Sequence, residues 1–391
     1  MTTESSPSTA VEAFRADLKA WLASSFTEAV AEAVSHPDRD VAFAAQREWN
    51  ATLVDAGYGA IAWPQEFGGS GAGIEHQFAY HEEMAAAGAP GPVNAIGVAN
   101  IAPAIMALGT AEQQQRFLRP MLRGDEIWSQ GMSEPDAGSD LASLQCRAVR
   151  DGEHFIINGS KTWNSNGDLA DWCQLYVRTN TEVPKHKGIT ALLVDMKTPG
   201  IEARTILTMA GGRGFAELFF TDVRVPVSAM LGGLDEGWGV ATNTLSNERA
   251  GVATMYLNVR RNFDRLLAAA SEPGPDGECP LESATNRDAL MRRFQEVRAL
   301  EFLAKRALGA AISGRPPGAE GSVIKLAWSE TWQRLSRTAT DILGVRALTG
   351  PWADELLSGC SITIAGGTTE VNKNILGERV LGLPREPKPP H

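Results

Sequence analysis

The chain has 391 residues, 43% hydrophobic and 21% charged, with a formal net charge of −11. That length divides into two or three domains with sizeable interiors, and the balance is that of a globular protein rather than a disordered or fibrous one. The negative charge argues against general affinity for nucleic acid or an anionic membrane, since both require a basic face. An anionic small molecule would need specific Arg, Lys or backbone N–H groups.

The first ten residues, Met1 to Ala10, are rich in Ser and Thr and have neither a basic start nor an apolar run. From Val11 the apolar positions Val11, Phe14, Leu18, Trp21 and Leu22 recur at helical spacing. The same period continues through Arg47–Asp55 and Ile74–Ala87 to Glu112–Leu122. Met84 to Ala111 carries no charge, but Pro90, Pro92, Pro103, Asn94 and Asn100 would break a spanning helix, so buried helices joined by turns are expected and no membrane insertion. Near Ile127 the period shortens. His154–Trp163, Trp172–Val177, Gly188–Met196 and Ala216–Val225 are expected strands, bounded by Gly, Asn, Asp or Pro. After Pro226 the helical period returns, with one long helix expected over Trp238–Phe263 and another marked by Leu290, Phe294, Val297, Leu300, Ala304 and Ala307. Ser271–Ser283 and Gly314–Gly321 read as breaks, and the tail from Pro384 as loosely ordered.

The four cysteines, Cys146, Cys173, Cys279 and Cys360, form no paired motif and no metal-ligand cluster; they read as reduced thiols of a cytoplasmic protein. The order α, then β, then α does not suit a parallel dinucleotide-binding sheet, and no Gly-rich phosphate loop follows a strand.

Several segments carry a family resemblance. Met132-Ser-Glu-Pro-Asp-Ala-Gly-Ser-Asp-Leu141 resembles the TEPxAGSD signature of acyl-CoA dehydrogenases, and Asn158-Gly-Ser-Lys-Thr-Trp-Asn-Ser165 resembles that family's NGxKxW element. Gly367-Thr-Thr-Glu370 with Asn374-Ile-Leu-Gly-Glu-Arg379 is similar to its terminal element, and Trp63–Gly69 and Phe220–Pro226 also agree, in order and spacing. The resemblance implies an α+β chain: an N-terminal all-α domain over 1–125, a middle antiparallel β-barrel or sandwich domain over 126–230, and a C-terminal four-helix-bundle domain over 231–391. It implies FAD as cofactor and an acyl-CoA as substrate, dehydrogenated to a 2,3-enoyl-CoA, with an electron-transfer flavoprotein as acceptor.

By the same resemblance, Gln130, Met132, Ser133, Gly138 and Ser139 edge the flavin, with Ser139 also on the CoA ligand. Trp163 shields the ring, Asn164 and Ser165 lie beside it, and Asp341, Gly344, Thr368 and Glu370 meet the cofactor from the C-terminal region. Read without the resemblance, Trp163 is a buried strand aromatic and Ser133 and Ser139 are turn residues. Many family members place a catalytic Glu directly before the terminal Gly-Thr; here that position is Gly366, which has only a backbone N–H to offer a thioester oxygen, beside Gly367. A second subgroup, which includes isovaleryl-CoA and long-chain dehydrogenases and resembles bacterial steroid side-chain dehydrogenase subunits, carries its base in a helix Glu-Arg pair. Leu245-Ser-Asn-Glu-Arg249 presents Glu248 there, with Arg249 toward the CoA end. Taken alone, Glu248 is an exposed helix residue paired with a neighbour.

The family's Arg element for a neighbouring subunit's FAD has no match among Arg287, Arg292 and Arg293, and Asp341 stands where a Gln is usual. Either a homo-oligomer, in the tetrameric manner, holds FAD by altered contacts, or a second acyl-CoA dehydrogenase-like chain completes an α2β2 assembly. A flavin oxidase or monooxygenase on the same fold, and a non-catalytic subunit of a heteromeric dehydrogenase, are the other readings of the same residues.

Overall fold

A computed structural model describes residues 7–250, 255–275, 277–313 and 320–385, with the side chains of 7, 8, 245–250 and 311 outside that description. Two compact units emerge, Met1–Glu248 and Arg249–His391.

In the first unit the helices are α1 (Pro7–Ser25), α2 (Glu28–Val34), α3 (Arg39–Asp55), α4 (Ile74–Ala87), α5 (Ala102–Leu108) and α6 (Ala111–Arg123). Local chemistry sets their ends. The Asp38 carboxylate accepts from Asp40 N and Val41 N at the start of α3, and Thr110 and Gln113 form a reciprocal capping box on α6. Leu18, Leu22, Trp49, Leu53, Tyr80 and Met84 form one core among α1, α3 and α4. The uncharged stretch after α4 is broken as expected, by a loop and a π-helical turn over Gly97–Ile101 that runs into α5. No helix among the described residues is long and apolar enough to cross a membrane.

The strands are β1 (Trp128–Gly131), β2 (Arg147–Asp151), β3 (His154–Ser165), β4 (Trp172–Arg178), β5 (Ile189–Asp195), β6 (Ile201–Ile206), β7 (Phe215–Pro226) and β8 (Met230–Leu231). They form one eight-stranded sheet in the order β6-β7-β3-β2-β4-β5-β8, with β1 added to β4. Antiparallel pairing dominates; β1 and β2 each meet β4 in parallel. One sheet face buries Phe155, Ile157, Leu175, Val177, Leu218, Val223 and the thiols of Cys146 and Cys173. A separate core joins the sheet to the helices through Ile101, Ile105, Phe117, Met121, Trp128, Tyr176 and Leu193.

Asn94 holds that junction. Buried in the loop before α5, its amide donates to Met121 O at 2.9 Å and Glu126 O at 3.0 Å, and its oxygen accepts Trp128 N at 2.9 Å. One side chain thus ties the end of α6 to the first residue of β1, which leads directly into the Met132–Asp140 segment.

Helix α7 (Gly237–Ala250) closes the first unit, and α8 (Tyr256–Ser271) opens the second. The long helix expected over Trp238–Phe263 corresponds to these two spans; residues 251–254 between them lie outside the described residues. The second unit continues with α9 (Ala284–Ile312), α10 (Glu320–Leu343), α11 (Pro351–Ile362) and α12 (Thr369–Ile375). Helix α10 packs on all of α8, α9, α11 and α12, burying Ile324, Leu335, Ala339 and Ile342 among Val259, Leu266, Val297 and Leu300. The break expected from Gly314 falls mostly on 314–319 and the proline-rich tail on 386–391, both outside the described residues.

Candidate active site

β3 carries a bulge. Its pairing with β7 slips between Lys161 and Asn164, so Lys161 and Thr162 are both buried and the alternation inverts at Trp163. Trp163 sits at φ +60°, a left-handed conformation costly for a side chain with a Cβ, and is 57% exposed between buried neighbours. The reading of Trp163 as a buried strand aromatic is therefore overturned: the bulge re-aims its indole outward. Phe215 meets the ring edge-on at 5.9 Å, which leaves a face open.

Beside it runs the segment after β1. The carbonyl of Ser133 accepts Thr162 N at 2.9 Å, and Glu134 and Ala137 exchange backbone hydrogen bonds that close a tight turn. Neither the N–H nor the Oγ of Ser133 has a hydrogen-bond partner among the described residues. A Cβ added at Gly138 would meet nothing within 4 Å, so the turn leaves room above itself. Two unsatisfied donors on Ser133 and an open indole face suit the edge of a flat, acceptor-rich heterocycle. The other expected contacts on these strands divide. Met132 packs partly against the core, Gln130 donates to Gln174 Oε1 at 2.9 Å, and Ser165 is half-buried with its carbonyl accepting Ser129 Oγ at 3.0 Å. Asn164 turns inward: its amide donates to Ala216 O at 2.9 Å and its Oδ1 is buried without a partner. Ser139 is exposed next to Asp140, which pairs with Lys185.

The turn after Ser165 is pinned from α3. Arg39 forks onto Asp168 at 2.5 and 2.9 Å, and Thr205 Oγ1 donates to the same carboxylate at 2.7 Å. Burial opposes ionisation of Asp168, but the Arg39 guanidinium and Thr205 hydroxyl outweigh it and hold the carboxyl below its usual range. A depressed pKa contributes stability above the unfolded value, about pH 4, and loses it as pH falls through the folded pKa. Arg39→Met is accordingly expected to lower stability by about 1 kcal/mol near pH 7. Denaturant titrations should show the deficit shrinking as pH falls below about 4 and vanishing only below the depressed folded pKa of Asp168.

Helix α7 is rooted in the sheet. Asp235, at φ +63°, donates its N–H to Thr190 Oγ1 at 2.9 Å, and its carboxylate accepts from Thr179 Oγ1 and Asn180 Nδ2. A Cβ at Gly237 would strike the β5 backbone at 2.7 Å, so only glycine allows the helix to start this close. Val240 and Ala241 enter the core and Thr244 Oγ1 meets Tyr176 Oη at 3.3 Å. Glu248 lies one turn further along α7, and Arg249 follows it; the side chains of both lie outside the described residues.

In the second unit Gly366 and Gly367 sit at φ +66° and +91°. The turn itself requires glycine at both, whatever space they also provide. Asn372 reaches back to Gly367 O at 2.9 Å and Thr368 O at 3.0 Å, while Thr368 Oγ1 caps α12 by accepting Val371 N at 3.1 Å. Glu370 is exposed on the first turn of α12. Asp341 and Gly344 line a cavity of about 580 Å³ with Glu278, Glu282, Asn286 and Arg346. Its three carboxyl groups are a poor lining for a diphosphate. Arg287 is turned onto Leu281 O and Glu282 O at 2.7 Å each, Arg292 onto Asp288 at 2.8 Å and Arg293 onto Glu296 at 3.0 Å. No group of metal-ligating side chains occurs among the described residues.

Sequence reasoning passed over Arg39, Asn94, Asp235 and Asn372, whose partners are distant or backbone, and Glu134 and Lys161, which lay inside recognised motifs without a role.

The whole chain matches family models in succession: acyl-CoA dehydrogenase N-terminal domain at 9–125, middle domain at 129–223 and C-terminal domain at 235–381. The chain belongs to the acyl-CoA dehydrogenase family, flavoprotein oxidoreductases that use FAD. Among its relatives is the acyl-CoA dehydrogenase IpdE1 of Mycobacterium tuberculosis, 37% identical over 390 residues, covering 97% of this chain and 99% of that one. Solved structures similar to it include the Tcur3481–Tcur3483 steroid ACAD, 31% identical with a TM-score of 0.84 over 97% of this chain and 98% of that one. Another is the ChsE4–ChsE5 complex of Mycobacterium tuberculosis, 31% identical with a TM-score of 0.82 over 99% of this chain and 100% of that one.

Proposed function

We propose that this chain dehydrogenates a bulky, ring-bearing acyl-CoA with Glu248 as its base. The observation that supports a flavin in this reading is the outward-turned, strained Trp163 beside the Ser133 donors that have no partner among the described residues; the ring-bearing acyl group is proposed from the similarity to a steroid ACAD. When bound, FAD would supply the two-electron acceptor for the β-hydride, and the product would be a 2,3-enoyl-CoA.

Gln130, Met132, Ser133, Gly138, Ser139, Trp163, Asn164 and Ser165 would hold the flavin on the first unit, Asn164 through its backbone. Asp341, Gly344, Thr368 and Glu370 are further proposed cofactor contacts. The Glu248 carboxylate takes the α-proton, which the thioester makes acidic. The Gly366 N–H donates to the thioester oxygen as negative charge develops there, and Gly367 leaves that approach free of side-chain bulk. Ser139 and Arg249 orient the CoA portion. The division at 1–125, 126–230 and 231–391 is retained in this reading, since the three family matches fall inside those spans.

We place the chain in an α2β2 assembly with a second acyl-CoA dehydrogenase-like chain. The acidic lining around Asp341 and the internal engagement of Arg287, Arg292 and Arg293 support this, as do similar structures described as two-component proteins. An electron-transfer flavoprotein is the proposed acceptor. A cytoplasmic setting is proposed from four free thiols.

The chain purified alone and with such a partner should be compared by visible absorbance, then titrated anaerobically with acyl-CoAs. Flavin that bleaches with a steroid side-chain acyl-CoA and much less with a straight-chain one is the expected result. Stable flavin in the isolated chain would reject the mixed assembly, and flavin that no acyl-CoA bleaches would reject the dehydrogenase reading.

A further inference from the structure

The Lys161 side chain is 0% exposed. Its ammonium lies 2.8 Å from Glu134 Oε1 and donates to Met132 O at 3.0 Å. The Glu134 carboxylate, itself nearly buried, also accepts Gln145 N at 2.6 Å and Cys146 N at 2.8 Å. Taking both charges out of water costs several kcal/mol per ion, and a buried pair generally adds little net stability over apolar residues of the same volume. Its place in the backbone supplies a reason for it.

The bond to Met132 O sets a peptide plane. In a trans peptide the carbonyl of Met132 and the N–H of Ser133 share one plane and point in opposite directions. By drawing the Met132 carbonyl inward, Lys161 turns the Ser133 N–H away from itself. The next carbonyl, of Ser133, is held by Thr162 N at 2.9 Å, and the residue after that is locked in the Glu134–Ala137 turn. Two consecutive carbonyls are thus held from the β3 side, by Lys161 and Thr162, which immediately precede the bulged Trp163. The two donors of Ser133 are left unpartnered among the described residues.

We propose that Lys161, neutralised by Glu134, is a positioning residue for the cofactor: it aims the Ser133 N–H, and with it the hydroxyl, at the flavin edge. The inference rests on the reading of Ser133 and Trp163 as flavin contacts. Lys161 touches neither cofactor nor substrate in this scheme; it acts through the Met132–Ser133 peptide.

The test uses the full chain in its flavin-bearing assembly. Lys161→Met leaves a buried carboxylate without its counter-charge and is expected to lower stability for that reason alone. The double variant Glu134→Gln with Lys161→Met removes both charges and keeps the folding comparison interpretable. Melting temperature of the cofactor-free protein, FAD dissociation constant and flavin absorption spectrum are measured for the double variant and for Ser133→Ala. The expected result is a near-native melting temperature in the double variant, FAD binding weakened at least tenfold, and a shifted flavin band. Native FAD affinity and spectrum in the double variant, with Ser133→Ala altering both, would overturn the positioning role alone. Native FAD affinity and spectrum in both variants would overturn the underlying contact and the proposal with it, whereas an unchanged flavin in Ser133→Ala beside weakened binding in the double variant would make the backbone N–H the donor that Lys161 aims.

Discussion

Glu248→Gln is expected to lower kcat by about a thousandfold while bound flavin retains its absorbance. A positioned general base contributes roughly 10²–10⁴-fold, and the amide is nearly isosteric with the carboxylate but cannot accept the proton. Gly366 has no side chain to accept a proton, and its left-handed turn requires glycine, so no second carboxylate is available at that position. The rooting of α7 by Asp235, Gly237 and Thr244 keeps the start of the helix in place when residue 248 is changed. Exchange of the substrate α-proton with solvent deuterium offers a readout separate from turnover and should be lost in parallel. Glu370→Gln is the companion: it should loosen the flavin rather than abolish exchange. Turnover within about tenfold of the parent in Glu248→Gln, with exchange lost in Glu370→Gln, would move the base to Glu370.

Trp163→Gly separates the cofactor role from the fold. A residue with a Cβ at φ +60° carries about 1–2 kcal/mol of strain, which glycine relieves while adding freedom to the unfolded chain. The two effects oppose each other, and the lost indole is mostly exposed, so stability of the cofactor-free protein should change by less than about 1 kcal/mol. FAD binding should weaken by roughly tenfold or more, since an aromatic stack contributes about 0.5–1.5 kcal/mol beyond the area it covers. Trp163→Phe should recover most of the affinity but not the backbone relief. Unaltered FAD affinity in Trp163→Gly would remove Trp163 from the cofactor site, and a collapsed melting temperature would make it a core residue after all.

Long, strongly periodic segments were legible in the sequence. α3, α4, α9, β3 and β7 follow from apolar repeats whose buried faces match the observed cores. β2 and β6 were not foreseen, because Arg147–Asp151 and Ile201–Ile206 are mostly exposed and alternate charge where a strand signal needs apolar residues. β1 was too short to register as a pattern, and it is specified from outside, by Asn94 on its first amide. The site shows the same division. Motif spacing singled out Ser133 and Trp163 as candidates, but the bulge that turns Trp163 outward depends on pairing with β7, which no local pattern encodes. The links from Arg39 to Asp168 and from Lys161 to Glu134 are tertiary, joining residues far apart in the chain, so neither was visible as a signal.

The two cysteines inside the sheet have a further consequence. Burial pushes the Cys146 thiol up to about 11 and that of Cys173 up to about 12, despite the nearby Lys161 ammonium. Reaction with an alkylating reagent requires thiolate, so at ordinary pH both sulfurs stay silent while the sheet is closed. They react only through opening of the sheet, at the opening rate where reagent outpaces reclosing, and so report sub-global unfolding of the segment that carries the proposed flavin edge. Cys360, exposed on α11, supplies an internal fast reference in the same molecule.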